Sequence, residues 1–293
     1  MKFVKSLTAL AALLSVGAAF AGNSVSSAIP AGQVLFSDDS AERWIDVNTN
    51  GVLDEGDKLR GIFGIGNING NSNPIGGTSA FNELTGIFQT VVKSRTFAGS
   101  DGPLNLYDYV FEADPAFAAE FGVAAGTVGI FYEDALNDFK RESCGGTNSY
   151  ADCEATAKNG SVWASFKIAG GLWKANNAAD NPAAGALLPA ATPLGTFGIG
   201  LDFVTNNTGY QWNKVECGDP TNPFAPAIQA DFCGQGGLLA TGRDRPTGGF
   251  NTPYEIFDNV DFTANRVPEP GSIALVGLAL LGLGAAGRRS SKK

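Results

Sequence analysis

Apolar residues along this chain come in short bursts, set apart by Gly, Asn, Ser, Thr and Pro. The bursts are rich in Val, Ile, Phe, Tyr and Trp, and several alternate with polar residues. In Ser161-Val162-Trp163-Ala164-Ser165-Phe166-Lys167-Ile168, Val162, Ala164, Phe166 and Ile168 share one face. That period of two marks a half-buried strand. The pattern predicts strands at 34–36, 58–68, 84–97, 106–111, 127–132, 161–168, 196–204, 209–215 and 255–262. Asn206-Asn207-Thr208-Gly209 lies between two of them and predicts a hairpin turn. A helix is expected at 115–121, with Asp114 as N-cap and Pro115 in its first position. A second is expected over 135–142. The stretches 175–193 and 235–253 read as surface loops, and no internal repeat is evident. The fold expected from this is all-β: an antiparallel, jelly-roll-like β-sandwich with one or two short helices. A β-helix is the second choice.

The two ends follow other rules. Lys2 and Lys5 precede an apolar stretch from Leu7 to Phe20 and the small-residue motif Ala19-Phe20-Ala21. These are the parts of a secretory signal peptide, with residues 1–21 removed on export. The C-terminus reads Val267-Pro268-Glu269-Pro270-Gly271-Ser272, then 15 apolar or small residues from Ile273 to Gly287, then Arg288-Arg289-Ser290-Ser291-Lys292-Lys293. The apolar run is shorter than the ~20 residues that span a bilayer comfortably. Its four glycines weaken it further as a helix. It reads as a marginal transmembrane helix, 273–287, with its four cations held on the cytoplasmic side. The prolines around Glu269 keep the preceding backbone extended and accessible to a processing enzyme.

This tail resembles the PEP-CTERM sorting signal of Gram-negative bacteria, also catalogued as an "ice-binding protein C-terminal" motif. The resemblance rests on Pro268, Glu269, Pro270, the apolar run, and Arg288 and Arg289. It implies processing by an exosortase, a transient inner-membrane intermediate, and release to the cell surface or extracellular matrix. It implies nothing about ice, since the body shows no threonine array of the kind an ice-binding face needs.

Between the addresses lie residues 22–266, expected to form the extracytoplasmic sandwich domain. They hold 14 basic and 28 acidic residues, a net charge of about −14. Such a surface repels nucleic acid and anionic membrane and favours cations. The chain has no histidine. That removes the commonest general base, the Ser-His-Asp and Cys-His arrangements, and imidazole zinc sites. Carboxylate-pair chemistry, as in glycoside hydrolysis, survives this filter.

Four cysteines, Cys144, Cys153, Cys217 and Cys233, form no CxxC and in an exported chain read as disulfides. Three pairings exist. Cys144–Cys153 and Cys217–Cys233 are favoured, because each couple brackets a Gly- or Pro-rich loop. One stretch carries metal chemistry. In residues 46–57, Asp46, Asn48, Asn50, the Val52 carbonyl, Asp54 and Asp57 occupy ligand positions 1, 3, 5, 7, 9 and 12, with Gly51 at the turn and Leu53 as apolar anchor. The segment resembles the calcium loops of EF-hands and dockerins, except that position 12 is Asp and the flanks are not paired helices. Bound structural Ca²⁺ is the expectation. Trp44, Trp163, Trp173 and Trp212 are read as core residues first and as a sugar platform second, with Trp173 the best exposed candidate. Arg243-Asp244-Arg245 reads as a solvated loop.

The expected role is therefore non-enzymatic: a structural or adhesive component of exopolysaccharide or biofilm, with extracellular polysaccharide as a partner. The alternatives are a carbohydrate-active enzyme using two carboxylates and a lectin-like glycan-binding module.

Overall fold

The structure is a computed structural model. It describes residues 24–69, 71–72, 81–101, 104–135, 138–141, 149–176, 188–218, 228–243, 245, 247, 249–268, 278 and 280. The expected signal peptide at 1–21, Cys144, Glu269, Pro270, Arg288 and Arg289 lie outside them. So does nearly all of the expected membrane helix 273–287. Among the described residues no helix is long and apolar enough to cross a membrane.

A 3-10 turn, Val25–Ala28, leads into the strands. These are β1 (Gly32–Ile45), β2 (Lys58–Ile68), β3 (Asn71–Ser72), β4 (Glu83–Asp101), β5 (Leu104–Ala113), β6 (Thr127–Asp134), β7 (Ser161–Asn176), β8 (Pro193–Asn206), β9 (Trp212–Asn213), β10 (Val215–Cys217), β11 (Ile228–Ala230), β12 (Phe232–Ala240) and β13 (Ile256–Arg266). Helix α1 is Pro115–Phe121 and helix α2 is Tyr150–Ala157. Every strand pairing is antiparallel.

The main sheet returns on itself. Its order runs β2-β1-β13-β12-β8-β7, and β4 pairs back onto β2. Strands β6 and β5 share the gap between β4 and β7: β6 fills it beside Glu83–Phe88, β5 beside Thr90–Asp101. The two layers expected of a sandwich are thus opposite walls of one continuous sheet around a central space. Closure leaves few unpaired edges in the ring.

Alternation decides what faces inward. Phe36, Phe63, Phe131, Phe166, Phe232 and Phe262 pack together in the interior with Trp163. Glycines opposite make the room: a Cβ on Gly86 would lie 2.1 Å from the Phe63 ring, and one on Gly61 2.5 Å from Phe88. Ile62, Ile87, Ile130 and Phe257 point the other way and are covered by Phe117 of α1, Cys153 and Ala157 of α2, and Phe139. Arg60, also outward, is gripped bidentately by Glu154 (2.7 and 2.8 Å) and by Glu120 (both 2.8 Å). That double clamp fixes both helices to β2.

Both ends of the ring are filled. Val25 and Ile29, 0% and 1% exposed, fit into one end, where the Trp163 Nε1–H donates to Ser26 Oγ at 3.0 Å. Leu53, 0% exposed, fits the other, with Leu59, Tyr109 and Leu238. Gly32 of β1 lies directly beside Arg266 of β13, so the chain enters and leaves the ring at the same pole. The 46–57 loop joins β1 to β2 at the opposite pole.

Strand β2 and helix α1 fall where expected, and Asp114 caps α1 through the Ala116 N–H at 2.9 Å. Four expectations need correction. The helix at 135–142 does not form over its described part: residues 138–141 are irregular, and the second helix is α2, capped by Ser149. Only Leu136 and Phe139 could have faced a core from there, too narrow a stripe for a helix. Strand β1 runs nine residues past 36, through Asp38, Asp39, Ser40 and Glu42. Residues 235–240, read as loop, belong to β12, whose glycines admit Phe262 and Phe197 against its backbone. The turn after Asn206 forms, with Gly209 at φ +80°, but β9 beyond it pairs with β13 and makes no hairpin.

Candidate functional site

The polar extension of β1 explains itself inside the ring. Asp38, Ser40 and Glu42 share one face of the strand, and Ser40 lies opposite Asp258 of β13. All four line a cavity of about 140 Å³ whose other walls are Phe63, Phe88, Phe111 and Phe166 among apolar neighbours. Asp38 accepts the Val260 N–H at 2.9 Å. Burial, then the charge of Asp258, pushes Asp38 well above the usual carboxylate range. Glu42 is raised likewise, by burial and then by the neighbouring Asp258 carboxyl. Asp258 itself is pushed up to about 6 by burial. Outside the wall, Arg141 bonds the Ser40 and Asp258 carbonyls and pairs with Asp39 at 3.0 Å. Sequence reasoning missed this trio: Asp38 and Glu42 lie four residues apart on β1, and Asp258 comes from β13 at the far end of the chain.

The 46–57 loop folds as a series of side-chain-to-backbone turns. Asp46 accepts from Asn50 N (3.3 Å) and Gly51 N (2.8 Å), Asn48 from Asn50 N (3.0 Å), and Asn50 from Val52 N (2.7 Å). Gly51 takes φ +75°, which an L side chain would resist. These contacts hold the oxygens at positions 1, 3 and 5 on one short turn. Asp54, at position 9, takes the amide N–H groups of Asn48 (2.8 Å) and Asn50 (2.6 Å). Asp46, Asn48, Asn50 and Asp54, at positions 1, 3, 5 and 9, are thus linked to one another within the turn. Asp57 is placed differently. It is fully buried and accepts from Trp44 Nε1 (3.2 Å), Val47 N (2.9 Å) and Asp54 N (3.0 Å). It staples the loop to the ring, with Leu53 beneath.

The bond Cys217–Cys233 is present, with Cα atoms 5.2 Å apart. It ties the β10–β11 ribbon to β12. Cys153 is also oxidised, while Cys144 lies outside the described residues. Trp163 is buried, Trp44 bonds Asp57, and the Trp212 Nε1–H donates to Thr208 at 3.0 Å. The Trp173 side chain lies outside the described residues. Arg243 is partly buried and pairs with Glu255 at 2.7 Å, while Arg245 is exposed as expected.

The tail begins where the ring stops. Arg266 is buried over the Tyr210 ring, and Val267 donates to Gln211 O at 2.8 Å; Pro268 is exposed. Residues 266–290 match the PEP-CTERM protein-sorting motif. The motif implies export, processing by an exosortase, and sorting to the bacterial cell surface. It covers the tail alone and says nothing of what the preceding residues do. No curated protein and no solved structure matches the chain.

Proposed function

We propose that the protein is a non-enzymatic surface component of a Gram-negative bacterium, with a structural or adhesive role in exopolysaccharide or biofilm. The observation that carries this reading is the sorting motif starting at the last residue of β13. Two features of the body support it. The ring is filled at both ends, which suits a rigid module better than a polymer-binding enzyme. Its buried carboxyl pair, Glu42 and Asp258, is enclosed between those filled ends. Glycoside hydrolysis uses carboxyls about 5–5.5 Å or 6.5–9.5 Å apart, flanking a sugar.

In this reading the 46–57 loop holds structural Ca²⁺ through Asp46, Asn48, Asn50, the Val52 carbonyl and Asp54, with Asp57 beneath them as staple and sixth candidate. The ion supplies charge neutralisation at the pole. Ca²⁺ at tenfold excess over its Kd would add about 1.4 kcal/mol. Asp46→Ala should lose part of the Ca²⁺-dependent rise in melting temperature relative to EDTA. An equal rise in both proteins rules the loop out.

Deleting the gene, and separately deleting residues 267–293, tests the surface role. Both strains should lose matrix cohesion, the second while secreting folded protein. Unchanged cohesion in the gene deletion, or release of reducing ends from matrix polysaccharide by the purified protein, would overturn the reading.

A further inference from the structure

Glu83 opens β4 and Asp134 closes β6, and the two are direct cross-strand partners. Like charges in that relation destabilise a sheet. A third acid, Asp138, comes from the connector after β6. Oxygens of all three lie within 4.8 Å of one another. We propose that Glu83, Asp134 and Asp138 form a divalent-cation site that takes Ca²⁺.

The second, independent sign is the state of Glu83. It is 0% exposed, on the outer face of the ring. One oxygen accepts the Phe139 N–H at 3.4 Å; the other, Oε1, is buried without a hydrogen-bond partner, beside two more carboxylates. A buried carboxylate oxygen left so is costly unless a proton or an ion meets it. Among the described residues no Lys or Arg pairs with Glu83, and a bound cation would neutralise the group.

The donor set selects the ion. Three carboxylates and no nitrogen or sulfur suit a hard cation. Ca²⁺ accepts six to eight oxygens in flexible geometry, whereas Mg²⁺ demands a tight octahedron. Asp138 is held by the Asn159 side-chain amide, which reaches both its oxygens at 3.2 and 3.3 Å. Asp138 is also exposed, so water can complete the shell. The ion would tie the start of β4, the end of β6 and the connector behind it into one unit. This site lies toward the pole where the chain enters and leaves, away from the 46–57 loop.

The test separates the two sites. Secreted protein carrying Asp46→Ala is stripped with EDTA and titrated with Ca²⁺ by calorimetry and by melting temperature. One Ca²⁺ per chain should still bind and raise the melting temperature. Adding Glu83→Gln or Asp138→Asn should weaken that binding at least tenfold. Glu83→Gln keeps the size of the side chain, so it should melt in EDTA no lower than its parent, which distinguishes loss of the site from loss of the fold. No Ca²⁺ response in the Asp46→Ala protein, or an undiminished response after Glu83→Gln, overturns the proposal. An equal Mg²⁺ response overturns the choice of ion.

Discussion

At the scale of single residues, buried charge governs this molecule, in two settings. On the outer face Arg60 is 6% exposed as a side chain, between Glu154 at 9% and Glu120 at 45%. Removing one member of a buried pair strands the other. Arg60→Ala should cost about 3 kcal/mol in urea unfolding. Glu120→Ala, at the exposed arm of the clamp, should cost under about 1 kcal/mol. In the interior, Asp38, Glu42 and Asp258 keep protons that the unfolded chain gives up at ordinary carboxylate values. Folding there takes up protons, so this contribution is largest in acid and fades as pH rises through about 6 and beyond. Asp39 works in the same direction, and Arg141 opposes it. Glu42→Gln removes one of these protons from the balance. Its melting temperature, followed from pH 4.5 to 8, should decline less steeply than that of the wild type. Parallel curves would show that the trio does not hold its protons. None of this was legible in the sequence, where Asp38, Ser40 and Glu42 simply ended an apolar run.

At the scale of elements, legibility followed the side chains. Strand β2 and helix α1 were readable because local signals agreed: an apolar run between polar flanks, and an Asp-Pro start. Strand β12 was not. Phe232-Cys233-Gly234-Gln235-Gly236-Gly237 carries glycines that read as loop, and the sheet uses them as sockets for rings on neighbouring strands. The same device predicts the outcome at Gly86. An added Cβ would meet the Phe63 ring at 2.1 Å and the Ile130 carbonyl at 2.4 Å. Gly86→Ala should therefore destabilise by about 1–3 kcal/mol or more. Phe63→Leu in the same chain should recover only part of this, since the carbonyl contact remains. Full recovery, or no loss at all, would mean that β4 and β6 separate more easily than the pairing implies. For the 46–57 loop, the residue types and Gly51 showed the turn correctly. The burial of Asp57 depends on Trp44 and the end of the ring, which no local spacing encodes.

At the scale of the whole molecule, the last long strand ends where the sorting motif begins. Among the described residues Val267 is the last with a hydrogen bond to the body, and Pro268 is exposed just beyond it. A cut near Pro268–Pro270 therefore removes no contact described for the body. Intact mass of the secreted protein should show loss of residues 1–21 and of the tail beyond that point. The trimmed form should melt within a degree or two of the full chain. A released protein that retains 273–293 would count against processing there. The closed ring was hidden from sequence reasoning because β4 must pair with β2, β5 and β6, a long-range choice with no local mark. The neighbouring positions of Gly32 and Arg266 have one more consequence. Whichever terminus is tethered, the same face of the barrel is drawn to the bilayer. A chain held at that pole would point the tip carrying Asp46 to Asp57 away from its tether, like a lantern hung from its lid.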